Sequence, residues 1–121
     1  DKALEYYQKD LDITIRVVGH DHLDVAASYN NIGNVYDSQG RYNEALQEYE
    51  KCLKIQVDKL GHEHLDVANS KYNIAGVHES QGNLEEAKAL FLECEKIYAK
   101  VFGDEHEETQ DARERAAKVG E

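Results

Sequence analysis

Residues 19–40 read GHDHLDVAASYNNIGNVYDSQG, and the same pattern returns 42 positions later at residues 61–82, which read GHEHLDVANSKYNIAGVHESQG. The two stretches are identical at 14 of 22 positions. A third, shorter copy begins at Gly103 with GDEHEETQD. A fixed period of this size is typical of solenoid proteins, in which each unit buries its apolar face against its neighbours. The repeat therefore favours a surface that holds another molecule over an enclosed catalytic pocket.

Each full copy contains two stretches whose apolar residues recur at the i, i+3, i+4, i+7 spacing of an amphipathic helix. A Gln-Gly pair separates the two stretches at Gly40 and Gly82, and a Gly just after a helical stretch is typical of a helix end. The same signal comes at Gly19, Gly61 and Gly103. The pattern predicts an all-α fold of about six antiparallel helices, over residues 2–18, 23–38, 42–59, 65–80, 84–101 and 106–118.

Gly33 lies inside a predicted helix, where Gly costs about 1 kcal/mol relative to Ala. A packing role explains that cost, because a residue without a side chain lets a neighbouring helix come close. Ala75 takes the equivalent place in the second copy. We predict that the partner helix presents a small residue, Ala45, and fills the space one turn later with Tyr49.

Acidic residues outnumber basic ones by 25 to 14 in these 121 residues, and the formal net charge is −11. Nucleic acid is therefore not an expected partner, because binding to phosphates needs the opposite charge. The sequence has no apolar run approaching the roughly 18 residues of a membrane-spanning helix, and no signal-peptide pattern at its start. We expect a soluble, cytoplasmic protein without a membrane partner. Since the chain starts in mid-pattern and contains no Met, we also expect it to be part of a longer protein.

Several of these positions together resemble the tetratricopeptide repeat. The matching residues are Ile32-Gly33, Tyr36, Gly40, Ala45 and Tyr49 in the first copy, and Ile74-Ala75, His78, Gly82, Ala87 and Phe91 in the second. The period of 42 and the G-x-x-H linker before Val25-Ala26 and Val67-Ala68 are similar to the longer repeat of kinesin light chains. The resemblance implies an α-α superhelix, a solenoid built as a single array. That array would have a half repeat at 1–18, full repeats at 19–60 and 61–102, and a partial or capping repeat at 103–121.

The resemblance also implies a protein-interaction module that takes a peptide segment in a concave groove, lined by the first helix of each repeat. In such repeats the Asn before the Leu-Gly pair commonly binds the main chain of the ligand, and an amide can both donate to and accept from a peptide unit. The implied groove residues are Asn30, Asn31, Asn34, Asp37, Tyr72, Asn73 and Glu79. The alternative, that an exposed Asn has no role, stays open, above all for Asn30 and Asn34.

The charge of this predicted groove bears on the choice of partner. The listed groove positions carry no Lys or Arg. Co-chaperones with this fold grip a C-terminal carboxylate with a clamp of lysines, asparagines and an arginine; Asn34, Asn73 and Arg115 match three of its places, but Asn30 and Asp111 stand where its lysines should be. The comparison implies that such a carboxylate clamp is absent. An acidic groove favours neutral or basic peptide segments and repels acidic ones.

Two other sets of residues could carry chemistry, and each has a structural explanation. Cys52 and Cys94 lie one period apart, so we expect them on equivalent helices of stacked repeats, too far apart for a disulfide and present as free, buried thiols. Each His-x-His pair, at residues 20–22 and 62–64, supplies two ligands, whereas a zinc site needs three or four. The resemblance implies that His22, His64 and His106 help close the linkers onto the next helices. We expect no metal, no cofactor and no enzymatic role.

A second hypothesis is that the chain packs on neighbouring repeats or on copies of itself and binds no peptide. The first predicted helix would be the second member of a pair, and its apolar residues are Ala3, Leu4, Tyr7, Leu11, Ile15 and Val18. Its side without a partner helix would be an exposed apolar stripe, and such stripes are seldom left open to water. The sequence thus allows a homo-oligomer through exposed repeat ends, with a two-fold dimer favoured over a head-to-tail chain.

Overall fold

The computed structural model of this chain describes residues 1–119, which form six α-helices and no strand. The helices are α1 (Lys2–Val18), α2 (Leu23–Ser38), α3 (Tyr42–Leu60), α4 (Leu65–Gln81), α5 (Leu84–Phe102) and α6 (Glu107–Lys118). The predicted all-α fold is confirmed, and no predicted helix end differs from the observed one by more than one residue. The last two residues of the predicted capping repeat 103–121 lie outside the described residues. Among the described helices, none combines the length and the apolar character that crossing a bilayer needs.

Two glycines with left-handed backbone conformation set the turns inside the repeats. Gly40 follows α2 with φ 74°, and Gly82 follows α4 with φ 83°. Residues with a Cβ rarely adopt this conformation, so Gly is the residue that closes a helix in this way. After the first of these turns, the backbone N–H of Arg41 donates to the carbonyl of Tyr36 at 2.9 Å. The bond satisfies a carbonyl at the helix end and fixes a short turn into the next helix.

Histidines begin three of the helices. His22, His64 and His106 precede α2, α4 and α6 in extended backbone conformation. In each, the ring Nδ1 accepts the backbone N–H two residues later, at 3.0, 3.0 and 3.1 Å. An acceptor at this position satisfies one of the N–H groups that the first turn of a helix leaves without a partner. The expectation that these residues close the linkers onto the following helices is confirmed.

The chain divides into two compact units, and the first extends from Asp1 to Lys59. Its core combines buried residues of α1, α2 and α3, which are Leu11, Val25, Ala26, Ile32, Cys52 and Ile55. Partly buried apolar residues pack around them, namely Leu4, Tyr7, Ile15, Tyr29 and Tyr36. Each helix therefore contributes one apolar side to this core, as the helical spacing in the sequence predicts.

A close contact between α2 and α3 explains the glycine inside α2. A Cβ added to Gly33 would lie 2.7 Å from the ring atoms Cδ1 and Cε1 of Tyr49, closer than real Cβ contacts come. Tyr49 is 1% exposed and Ala45 is fully buried. Gly33 therefore lets α3 approach, as the small-residue pattern predicts, and the ring of Tyr49 fills the space.

The side of α1 that faces solvent differs from the one expected. Leu11 is buried in the core of the first unit, and Tyr7 packs against that core. The large exposed apolar residues are instead Tyr6, Ile13 and Val17, which are exposed by 67%, 59% and 77%. The interpretation that gave this helix a single apolar stripe is wrong, because α1 carries two and the one that includes Tyr7 packs inward.

The second unit begins at Leu60 and contains α4, α5 and α6, with α5 packed against both of the other helices. Alanines on α4 and α6 let these helices approach α5 closely, since a methyl side chain occupies little space between helices. The large side chains in the core are Phe91, Ile97 and Tyr98 of α5, which contact Ala68, Ala75, Ala112 and Ala116 in two clusters.

Both cysteines are buried thiols that form no disulfide, as the sequence predicts. The Cys94 thiol donates to the carbonyl of Ala68 at 3.2 Å, and burial raises the pKa of Cys94 to about 12. A thiol in this state is a poor nucleophile and a poor metal ligand, because both roles need the thiolate. Its place in the core is that of a small apolar residue.

Candidate peptide-binding surface

In the first unit, a hollow of about 310 Å³ opens beside α2. Its lining includes Asn31 and Asn34, together with Tyr7 of α1 and Gln39 just after α2. Two of the predicted groove residues are therefore neighbours of one open space. The structure adds Tyr7 and Gln39 to them.

In the second unit, a hollow of about 230 Å³ is lined by residues of all three helices: Asn69, Tyr72, Asn73, Tyr98, Glu108 and Asp111. Two of these, Tyr72 and Asn73, are predicted groove residues. The Tyr72 hydroxyl donates to Asp111 Oδ2 at 2.5 Å, and its ring meets Phe91 edge-on at 5.2 Å. Burial raises the pKa of Tyr72 to about 12, and the hydrogen bond to Asp111 adds to the shift. The side chain of Tyr72 is thus held in place in the lining of this hollow, and its hydroxyl is protonated at neutral pH.

The two hollows share one arrangement of side chains. In the first, the Tyr49 hydroxyl donates to Asn34 Oδ1 at 2.6 Å, and in the second the Tyr98 hydroxyl donates to Asn69 Oδ1 at 2.6 Å. Burial raises the pKa of both tyrosines, so their hydroxyls remain donors at neutral pH. Each bond orients an Asn from the core side and uses only its carbonyl oxygen, which leaves the amide N–H groups as donors for a ligand.

A cation meets the predicted groove residues of the second unit, which corrects the expectation of a surface without Lys or Arg. Arg115 of α6 donates through Nη2 to Glu79 Oε1 at 2.9 Å and through Nη1 to the Tyr72 hydroxyl at 3.1 Å. The predicted groove residues all came from α2 and α4, although the comparison with the carboxylate clamp had also matched Arg115 and Asp111 of α6 to this surface. The carboxylates that line the hollow are those of Glu108 and Asp111.

Three predicted groove residues, Asn30, Asp37 and Glu79, are not among the residues that line the two hollows. Asn30 and Asp37 are half-buried on α2, and burial raises the pKa of Asp37. The role of these three residues in ligand binding stays a prediction.

Among the lining residues that the sequence reasoning missed are Tyr7, Gln39, Tyr98 and Glu108. None of them belongs to the first helix of a full repeat, where the resemblance places the groove. Glu108 stands at the repeat position of Asp66, and an acidic residue there indicates only the start of a helix. The sequence gives no signal that these side chains meet the asparagines.

The described residues also bear on the hypothesis that the histidines bind a metal ion. Across residues 1–119, no three His, Cys, Asp or Glu side chains come close enough together to hold a metal ion. His22, His64 and His106 use Nδ1 to cap helices, so one nitrogen of each ring already has a structural partner.

Two models of the tetratricopeptide repeat (TPR) match the sequence, one over residues 1–57 and the other over residues 67–108. The chain belongs to the TPR family. Together the two matches span most of this TPR chain. A comparison with curated proteins gave no significant match.

Solved structures share the fold of this TPR chain. The nearly identical TPR-like repeats of a protein assigned as a kinesin light chain from Podosopora anserina are 24% identical to it, with a TM-score of 0.86. A single-residue variant of the same protein gives 0.85 at the same identity, and both alignments cover 98% of this chain and 56% of the other. BtubC (BKLC) from P. vanneervenii is 21% identical, with a TM-score of 0.77 over 98% of this chain and 55% of that one. The TPR chain thus spans a little over half the length of these proteins, and the likeness shows the fold.

Proposed function

We propose that this TPR chain is a protein-interaction module that binds peptide segments through α2, α4 and α6, the first helices of its repeats. TPR repeats mediate protein–protein interaction or scaffolding. The observation that carries the peptide proposal is that each compact unit has a hollow lined by asparagines of a first helix, Asn31 and Asn34 in one and Asn73 in the other.

Asn31 and Asn73 are the residues proposed to bind the main chain of the peptide. They stand at the same place in the two full repeats, one residue before Ile32 and Ile74. A peptide unit offers one N–H and one C=O, and an amide side chain can pair with both without reading the ligand's side chains. Contacts of this kind support recognition of many sequences, with specificity added by charge.

The charge of the second hollow favours a basic or neutral segment. Glu108 and Asp111 place two carboxylates in its lining, which includes no Lys or Arg. Arg115, which contacts the predicted groove residues Tyr72 and Glu79, is paired with Glu79. A Lys or Arg side chain of a ligand would therefore meet carboxylates, whereas an acidic side chain would meet repulsion.

Selection from a random peptide display library, followed by fluorescence anisotropy on synthetic peptides, tests the proposal. Three variants of each selected peptide, of equal length and with neutral, lysine-containing or glutamate-containing flanks, isolate the contribution of charge. We expect the lysine form to bind most tightly, the glutamate form least, and added salt to reduce the difference between them. A library that yields only acidic peptides would contradict the charge preference.

Replacing both Asn31 and Asn73 by Ala tests the main-chain contacts. Each lost hydrogen bond is worth about 1 kcal/mol, so the double variant should bind roughly 30-fold more weakly. Gln47→Ala is the matched control, because Gln47 is an exposed amide on α3, which is the second helix of its repeat. Equal affinities for the double variant and the control, with unchanged helical circular dichroism, would refute the peptide-binding role.

Membership of the TPR family supports only some of the other expectations for this protein. TPR folds are typically non-enzymatic scaffolds. The absence of enzymatic activity, a cytoplasmic location and the division into a single array with the repeat boundaries given above stay predictions.

A further inference from the structure

His106 is connected to two residues that line the hollow of the second unit. Its Nδ1 accepts the backbone N–H of Glu108 at 3.1 Å, and Glu108 belongs to the lining. Its ring stacks on Phe102 with 4.1 Å between the centroids, and Phe102 stacks on Tyr98 at 6.3 Å. Tyr98 lines the hollow as well, and its hydroxyl orients Asn69 there. One exposed ring is therefore linked to both an acidic and an aromatic residue of the same site.

The other two capping histidines lack this aromatic connection. Val18 and Leu60 take the repeat position of Phe102 before His22 and His64. Aliphatic side chains cannot stack ring on ring, so these two caps are not joined to an aromatic residue in this way.

The carboxylate that follows the cap also lies differently in the third copy. Asp24 and Asp66 lie 3.6 and 3.9 Å from the Nδ1 atoms of His22 and His64. Glu108 stands at the same repeat position, but it lines the hollow. Its side chain is one methylene group longer than that of Asp, so it can reach the ring as well as the hollow.

The hydrogen bond between His106 and Glu108 requires a neutral ring. A neutral imidazole accepts at one nitrogen, whereas the protonated ring donates at both. After proton uptake, the Nδ1–H group would face the backbone N–H of Glu108, and the bond would be lost. The charged ring would at the same time attract the carboxylate of Glu108. Proton uptake therefore favours a position of this carboxylate beside the ring, as in the other two copies, over its position in the hollow.

We propose, on the basis of the peptide-binding function proposed above, that His106 is a pH-dependent positioning residue of this site. The neutral ring holds Glu108 in the lining of the hollow, and the protonated ring moves it away. The hollow then loses one of its two carboxylates, and a positive charge is added near it. A lysine side chain of a ligand is therefore bound more weakly at acidic pH.

The other titratable groups of the elements around the ring largely keep their charge in the relevant range. They are Glu95, Tyr98 and Lys100 of α5, Asp104 and Glu105 of the linker, and Glu107, Glu108, Asp111 and Arg113 of α6. Carboxylates, tyrosines, lysines and arginines titrate outside the range from about pH 5.5 to 8, whereas histidine titrates within it. Arg113 is paired with Glu95 at 2.7 Å, so its charge already has a partner.

Proton NMR of the free chain tests the positioning step without a ligand. Between about pH 8 and 5.5, the amide proton signal of Glu108 should move upfield in step with protonation of the His106 ring, because the amide loses its acceptor. The signal should not follow the pH in His106→Asn, whose side chain caps the helix and does not titrate. A Glu108 signal that does not respond to the ring in the parent chain would overturn the proposal.

Fluorescence anisotropy measures the consequence for binding, with a selected lysine-containing peptide that has no His, Asp or Glu. The parent should bind about five- to tenfold more weakly at about pH 5.5 than at about pH 8. His106→Asn should match the parent at the higher pH and keep that affinity at the lower pH. His22→Asn is the matched control, because it changes the same kind of cap in the first unit, and it should retain the pH dependence of the parent.

The outcomes separate this inference from the function on which it depends. The same pH dependence in the parent and in His106→Asn would overturn the role of His106, even if the peptide binds. Failure of every chain to bind peptide at the higher pH would instead refute the peptide-binding function, and the NMR titration would then decide the positioning of Glu108 by itself.

Discussion

Replacing Gly33 with Ala tests the closest packing contact in the first unit. The new Cβ would lie 2.7 Å from two ring atoms of Tyr49. The ring has little room to move, because Tyr49 is 1% exposed and its hydroxyl is bonded to Asn34 at 2.6 Å. Overpacking costs about 1–3 kcal/mol and a strained hydrogen bond about 1 kcal/mol, whereas Ala in place of Gly in a helix gains about 1 kcal/mol. We expect a net loss of stability of about 1–3 kcal/mol.

The second unit contains the natural counterpart of this variant. There Ala75 takes the position of Gly33, and Phe91, which has no hydroxyl, takes the position of Tyr49. A ring that no hydrogen bond holds in place can shift by the few tenths of an ångström that an extra methyl group needs. The double variant with Gly33→Ala and Tyr49→Phe should therefore be more stable than the sum of the two single changes implies, by about 1 kcal/mol.

Thermal and urea unfolding, followed by circular dichroism, measure the four chains of this cycle. A loss of 1 kcal/mol lowers the melting temperature of a chain of this size by about 4 °C. A melting temperature of Gly33→Ala at or above that of the parent would show that the α2–α3 contact is looser than the structure indicates. Strictly additive effects of the two substitutions would show that the hydrogen bond of the Tyr49 hydroxyl does not hold the ring in place.

The helix caps, the buried thiol and the small residue of α3 allow further tests. His64→Ala removes the cap of α4 and should cost about 1 kcal/mol in thermal unfolding, whereas the cap-competent His64→Asn and the exposed His62→Ala should match the parent. Burial raises the pKa of Cys94 to about 12, so the folded thiol should resist iodoacetamide at pH 8. Because the folded state holds that proton, and the proton of Tyr72, more tightly than the unfolded state, stability should fall as pH rises from about 9 to 12; a flat profile would contradict this. Ala45→Leu should destabilise the chain by about 1–3 kcal/mol through overpacking, and an unchanged melting temperature would argue against close contact there.

The helices were predictable because their ends depend on local chemistry. Gly40 and Gly82 adopt the left-handed conformation that ends a helix, and this preference belongs to the residue type rather than to the tertiary structure. His22 and His64 cap the next helices through bonds to backbone groups only two residues away. Signals of this range can be read directly from the order of residues along the chain.

The lining of the hollows was only partly predictable, because it depends on contacts between distant segments. Asn73 could be proposed from its repeat position, but the meeting of Tyr72 with Asp111 joins residues 39 positions apart. The copy of the repeat that contains α6 is eroded, so Arg115 could be matched to this surface only through the resemblance to co-chaperones, and periodicity gave no guidance on Glu108. Helical spacing tells which residues share one side of a helix, and it does not tell which side chains of other helices they meet.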